Sequence, residues 1–230
     1  IALLIFAFAL SSAATQISTQ WVQYLSGEDT VRGYLAMPEG DGPFPALMVI
    51  HEWWGLNDQI RSIADQFAEQ GFAALAVDLY RGTATDDPAL AHEVMRGLPD
   101  ERALKDLQDA VTYLRELERV DGERIGVIGW CMGGGWALRL ATEDERIRAA
   151  AVYYGKLITD SEALERLKAP LLGIFGGKDR GIPAKDVEDF QLRLESLHKR
   201  VQIHIYPESG HAFANPENDN YRPEDAEDAW

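Results

Sequence analysis

The run Arg124-Ile-Gly-Val-Ile-Gly-Trp-Cys-Met-Gly-Gly-Gly135 constrains the fold of this chain more than any other stretch. A short apolar segment, 125–128, leads into glycines grouped around Cys131, the only cysteine among 230 residues. The pentapeptide Gly129-Trp-Cys-Met-Gly133 has the form G-x-C-x-G, a strand–turn–helix elbow with sulfur where the common pattern has a serine hydroxyl. The central residue of such a turn has a strained backbone, and side chains two positions to either side would clash, so glycines stand there. The pattern calls for a strand ending at 128 and a helix over 131–141. The thiol would be exposed at the helix start, where backbone N–H groups and the helix dipole favour the thiolate. The structural alternative is a small buried cysteine at a glycine-rich helix–strand contact.

An elbow of this kind requires an acid and then a histidine further along the chain. Downstream, 169–175 reads as a buried strand closed by Gly176-Gly-Lys-Asp179. Next, 201–206 alternates like another strand and is followed by Pro207-Glu-Ser-Gly-His211. Asp179 and His211 are therefore expected in loops after successive strands, where a rigid sheet can present both at one edge. In that arrangement His211 takes the thiol proton or steadies the thiolate, and Asp179 fixes the imidazole tautomer. Taken singly, Asp179 also suits a glycine-flanked turn, and His211 a surface loop.

The rest of the chain supplies a frame for one sheet. The segments 21–25 and 31–37 read as a hairpin turning at 27–29. Strands are expected at 46–51, 72–77, 125–128, 149–154, 169–175 and 201–206. Helices are expected at 57–70, 90–97, 101–119, 131–141, 161–167 and 185–199. Alternating strands and helices call for an α/β fold with a mostly parallel sheet and helices on both faces. Hydrophobic residues make up 46% of the chain, enough for one sizeable core, so 15–230 reads as a single domain.

The ends read differently. Residues 1–14 pair an apolar run with Ser11-Ser-Ala-Ala14, the core and cleavage region of a partial signal peptide, which implies an exported, periplasmic or secreted protein. That run is too short to span a bilayer. Pro223-Glu-Asp-Ala-Glu-Asp-Ala-Trp230 reads as the start of a helix, and the domain as truncated at its C-terminus. A formal net charge of −16, with no basic stripe, argues against nucleic acid. No metal is expected: His51-Glu52 begins H-E-x-x-H, but the fifth position is Gly55. No organic cofactor is expected either, since Gly126, Gly129 and Gly133 do not fit G-x-G-x-x-G.

Together, Gly129-Trp-Cys-Met-Gly-Gly134, Gly177-Lys-Asp179, Gly210-His-Ala-Phe213 and His51-Glu-Trp-Trp-Gly55 resemble the dienelactone hydrolase family of the α/β-hydrolase fold. The resemblance runs from about Trp21 to the C-terminus. It implies Cys131 as nucleophile, His211 as base, Asp179 as orienting acid, and Glu52 as a carboxylate near the thiol that helps to activate it. It also implies an oxyanion hole from the backbone N–H groups of Trp53 and Met132. Among aromatic walls Glu52 is expected to have a raised pKa; its bland reading is a loop carboxylate capping the helix after Asn57. Arg81, Trp54, Tyr80 and Phe213 are candidate substrate-binding residues, with Trp53, Trp130 and Tyr154 as further aromatic pocket walls; Arg81 equally suits a surface helix start, and about half of the aromatics suit plain core packing. Asn215 stands where the family's type enzyme carries an arginine, which speaks against recognition of a carboxylate substrate. The expected activity is hydrolysis of a small ester or lactone through a Cys-His-Asp triad and a thioester. The alternatives are a cysteine acyltransferase or peptidase on the same triad, and a non-catalytic hydrolase-fold binding protein.

Overall fold

A computed structural model describes residues 15–230, so the signal-peptide reading of 1–14 lies outside the described residues. Eight strands form one sheet: β1 (Ile17–Ser26), β2 (Asp29–Pro38), β3 (Phe44–Ile50), β4 (Ala73–Val77), β5 (Val120–Trp130), β6 (Ile147–Tyr153), β7 (Leu171–Gly176) and β8 (Val201–Tyr206). Their order is β1-β2-β4-β3-β5-β6-β7-β8. The β1–β2 hairpin and the β2–β4 pair are antiparallel. Every pairing from β4 through β3 to β8 is parallel. The connecting helices are α1 (Asp58–Glu69), α2 (Pro88–Gly97), α3 (Asp100–Glu116), α4 (Met132–Glu143), α5 (Ser161–Glu165) and α6 (Ala184–Ser196), followed by a terminal α7 (Pro223–Ala229).

Local chemistry sets these boundaries. The Asn57 side chain accepts from the Ile60 N–H at 3.1 Å and opens α1. After α1 the chain turns at Gly71, whose φ of +99° lies in the region open to glycine. Asp87 and Asp160 cap α2 and α5 in the same way as Asn57. One boundary differs from the sequence reading. The helix expected over 101–119 ends at Glu116, and Val120 already pairs with Phe44 in the sheet. The charged run 116–124 carries no apolar period of either kind, so pairing with β3 rather than propensity decides it.

Two apolar clusters cover the sheet. One face packs against α3, α4, α5 and α6 through residues such as Leu107, Leu138, Leu164 and Phe190. The other face packs against α1 and the 212–213 segment through Ile60, Ala64, Tyr154 and Phe213. From β3 the chain passes to β4 on one side, then returns to β5 on the other. The order therefore reverses between β3 and β5, and the crevice at their C-terminal ends is where α/β sheets hold ligands. Glu52 follows β3 and Cys131 follows β5 at this reversal.

Candidate active site

Cys131 occupies a turn of φ 54°, ψ −116° between β5 and α4, a conformation that L residues adopt only under constraint. The flanking glycines are required by contact. A Cβ at Gly129 would lie 2.1 Å from the Gly133 carbonyl oxygen, and one at Gly133 would lie 2.3 Å from that of Ile50. The elbow is also tied to the neighbouring strand, since the Cys131 N–H donates to the Tyr153 carbonyl at 3.0 Å.

The loops after β7 and β8 are fastened to each other. The Gly177 N–H donates to the Tyr206 carbonyl at 2.7 Å and the Lys178 N–H to the Ser209 carbonyl at 2.8 Å. A Cβ at Gly176 would lie 2.5 Å from the Ser209 oxygen, so the loop carrying His211 rests directly on the end of β7. The resulting chain of contacts is continuous. His211 Nε2 lies 3.1 Å from Cys131 Sγ, and His211 Nδ1 lies 2.7 Å from Asp179 Oδ2. The other Asp179 oxygen accepts from the Gly181 and Ile182 N–H groups at 2.8 and 3.1 Å.

The electrostatics follow from these partners. Burial opposes charge on His211, but hydrogen bonds to Asp179 and Cys131 outweigh it and raise the imidazole pKa to about 10. Burial likewise opposes charge on Asp179, yet His211 and the two backbone donors hold its carboxyl below the usual range. The imidazole thus keeps its proton through neutral pH and loses it as pH rises toward about 10.

Glu52 is buried, and burial raises its carboxyl pKa. It accepts from the Asn215 side-chain amide at 2.6 Å and from the Tyr154 hydroxyl at 3.3 Å. Asn215, noted in the sequence as a departure from an arginine, is thus a buried partner of the glutamate. The neighbouring His51 is fully buried too. Its Nε2 accepts from the Leu79 N–H at 3.3 Å, so Nδ1 carries the proton and donates to the Glu52 carbonyl at 2.5 Å. His51 thereby ties the Glu52–Trp53 loop to the end of β4. Sequence reasoning missed this use of His51 because it weighed the residue only as a metal ligand. Among the described residues no group of three His, Cys, Asp or Glu side chains could hold a metal ion.

A cavity of about 810 Å³ opens beside Cys131, Met132 and His211. Its walls correct part of the sequence reading. Of the six aromatics that could line a pocket, Tyr154 borders this cavity; Trp53, Trp54, Trp130, Tyr80 and Phe213 do not. Trp53 and Trp54 pack on one another with centroids 4.6 Å apart. The Tyr80 hydroxyl points to the Met132 sulfur at 3.1 Å. Phe213 is fully buried against Tyr154 and Tyr206. Apolar residues near the elbow in sequence or strand order go to the core, because the sheet is covered on both faces there. The wall is built instead from Trp136 on α4, Phe190 on α6 and the Leu157–Ile158 loop.

Arg81, read as a substrate-binding residue or a surface residue at a helix start, is held by carboxylates. Its guanidinium lies 2.6 Å from Asp29 and 3.0 Å from the fully buried Asp106, and it is absent from the cavity wall. Arg81→Ala strands the Asp106 carboxylate without a cation. Breaking a fully buried pair costs about 3–5 kcal/mol; with Arg81 partly exposed, about 2 kcal/mol is expected. A fall in Tm of roughly 4–8 °C, with kcat/KM for a neutral ester changed less than about threefold, is the expected result. A selective loss of turnover at unchanged Tm would return Arg81 to the binding site.

Residues 31–230 match the model of the Dienelactone hydrolase family. A protein of Methylorubrum extorquens named as a carboxymethylenebutenolidase is 32% identical, with 98% of this chain and 85% of that protein aligned. One of a Bradyrhizobium species named as a 2-oxo-3-(5-oxofuran-2-ylidene)propanoate lactonase is also 32% identical, over 95% and 93% of the two chains. The crystal structure of a Klebsiella pneumoniae protein named as a dienelactone hydrolase superposes with a TM-score of 0.85 at 30% identity, covering 94% and 95% of the chains.

Proposed function

Given that this chain belongs to the dienelactone hydrolase family of α/β-hydrolases, we propose that it hydrolyses small esters or lactones through a Cys131–His211–Asp179 triad and a thioester intermediate. The observation that carries this reading is the unbroken run of contacts from Sγ through the imidazole to the carboxylate, 3.1 and 2.7 Å long, at the edge of an open cavity.

The Cys131 thiolate adds to the carbonyl carbon, and the new oxyanion is received by the N–H groups of Met132 and Trp53. The carbon–oxygen bond to the leaving group breaks as His211 passes its proton to the departing alkoxide. Water then adds to the thioester carbonyl while His211 takes its proton. The carbon–sulfur bond breaks, releasing the carboxylic acid and restoring the thiolate. Asp179 holds the imidazole with Nδ1–H toward itself and Nε2 toward sulfur. Glu52, kept in its buried place by Asn215 and Tyr154, has its raised pKa available for proton exchange with the thiol.

Two readouts test this together. Brief exposure to an activated ester is expected to add one acyl mass to the Cys131 peptide, reversed by hydroxylamine. The kcat/KM profile is expected to show no descending limb between pH 7 and 9. It should decline as His211 loses its proton toward about pH 10, and Asp179→Asn should move that limb to lower pH because the lifting carboxylate is gone. A label on another residue, or activity unaffected by Asp179→Asn, would overturn the triad.

A further inference from the structure

Resting on the reading of Cys131 as an ester nucleophile, we infer that the substrate is a neutral ester or lactone carrying a sizeable apolar group, seated in the cavity that continues from the thiol. This cavity is one space with the nucleophile: Cys131, Met132 and His211 border it on one side. Beyond them its wall is set by Met95, Leu98, Trp136, Leu157, Ile182 and Phe190, drawn from α2, α4, the loop after β6, and α6 with the loop before it. At about 810 Å³ it exceeds what a five-membered lactone ring fills.

Most cations near the cavity already have partners. Arg81 is held by Asp29 and Asp106, away from the cavity. The position of a possible anion-gripping arginine is Asn215, whose amide is spent on Glu52. Within the wall, Arg139 is paired with Asp100 at 2.6 Å, and Arg193 donates to the Thr159 carbonyl. Lys156 is an exposed member of the wall, and the carboxylates of Asp186 and Asp189 share that wall and offset its charge. Apolar surface next to the thiol therefore outweighs any fixed positive charge, and removal of apolar groups from water supplies the recognition.

Two ester series measured by pH-stat test the inference: ethyl acetate to ethyl octanoate, and ethyl acetate to octyl acetate. Each fully buried methylene is worth about fourfold in binding. Partial burial of six methylenes gives an expected rise in kcat/KM of at least about 30-fold along one series. Leu157→Trp, which fills the cavity, is expected to cut the long-to-short ratio at least about tenfold. Ethyl hexanoate is expected to outperform the monoethyl ester of adipate, its anionic counterpart. A flat or falling trend in both series overturns the inference. So does a tenfold preference for the anionic ester, or an equal effect of Leu157→Trp on all lengths. In each case Cys131-dependent hydrolysis leaves the triad standing. Absence of Cys131-dependent hydrolysis on every ester would instead remove the reading beneath it. Should Leu157→Trp fail to fold, the two series and the charged pair decide alone.

Discussion

Cys131→Ala is expected to lower kcat/KM for an activated ester by about 10⁴-fold or more, because it removes the atom that forms the thioester in the proposed mechanism. What survives is the contribution of oxyanion donors and binding alone. The fold should be indifferent to the change. Cys131 is partly exposed, its backbone strain is set by the glycines around it, and alanine loses one atom from a surface turn. A Tm within roughly 2 °C of the parent is therefore expected. Cys131→Ser separates two causes of loss. It keeps an oxygen near His211 Nε2, but a hydroxyl is a far weaker acid than a thiol and is far less readily ionised at the same position. Steady-state kinetics of the three proteins on one ester, with thermal melts, decide the matter. More than a tenth of parental activity in the alanine variant would mean that another group attacks the ester.

Gly133→Ala should have a large effect on stability for a change of one methyl group. Helix propensity alone favours the substitution, since alanine in place of glycine stabilises a helix by about 1 kcal/mol. Packing opposes it strongly. The added carbon would lie 2.3 Å from the Ile50 carbonyl oxygen and 2.5 Å from that of His51, both backbone atoms at the end of the central strand β3. Nothing flexible can yield, so α4 and β3 must separate, and the net cost is expected to be about 3 kcal/mol. A drop in Tm of roughly 6–12 °C follows for a chain of this size. Activity should fall about 100-fold in the same variant, because the same displacement moves the Cys131 elbow relative to the Trp53 loop. A variant as stable as the parent would show that the helix does not pack so closely against β3.

Residues differed in how readable they were. The elbow could be read in advance because its two glycines, its apolar strand and its helix are adjacent in the chain, and the steric exclusion at Gly129 acts within the elbow itself; that at Gly133 comes from the distant Ile50 and His51 carbonyls. The order of Cys131, Asp179 and His211 was also legible, since each follows an apolar run that the parallel sheet aligns at one edge. The cavity wall was not legible. Trp136, Phe190 and Leu157 come from three separate elements, and no spacing in the chain announces that they face one space. Aromatic residues beside the motif were natural candidates, yet Phe213 and Trp130 serve the core because both faces of the sheet must be covered.

Arg81 and Asn215 show the same limit for polar groups. Both were read against a family pattern, one as a binder and one as a lost binder. Arg81 lies within reach of Asp29, 52 residues away, and of Asp106, 25 residues away, and a buried carboxylate claims a guanidinium wherever the fold brings them together. Asn215 reaches Glu52 across 163 residues. Local sterics and alternating apolar pattern, which act over a few residues, were enough to determine the strand–helix order, the elbow and the placing of Cys131, Asp179 and His211 at one sheet edge. Which polar group answers which charge, and which apolar groups surround a cavity, depends on distances between segments far apart in the chain, and those were decided only when the sheet closed around β3 and β5.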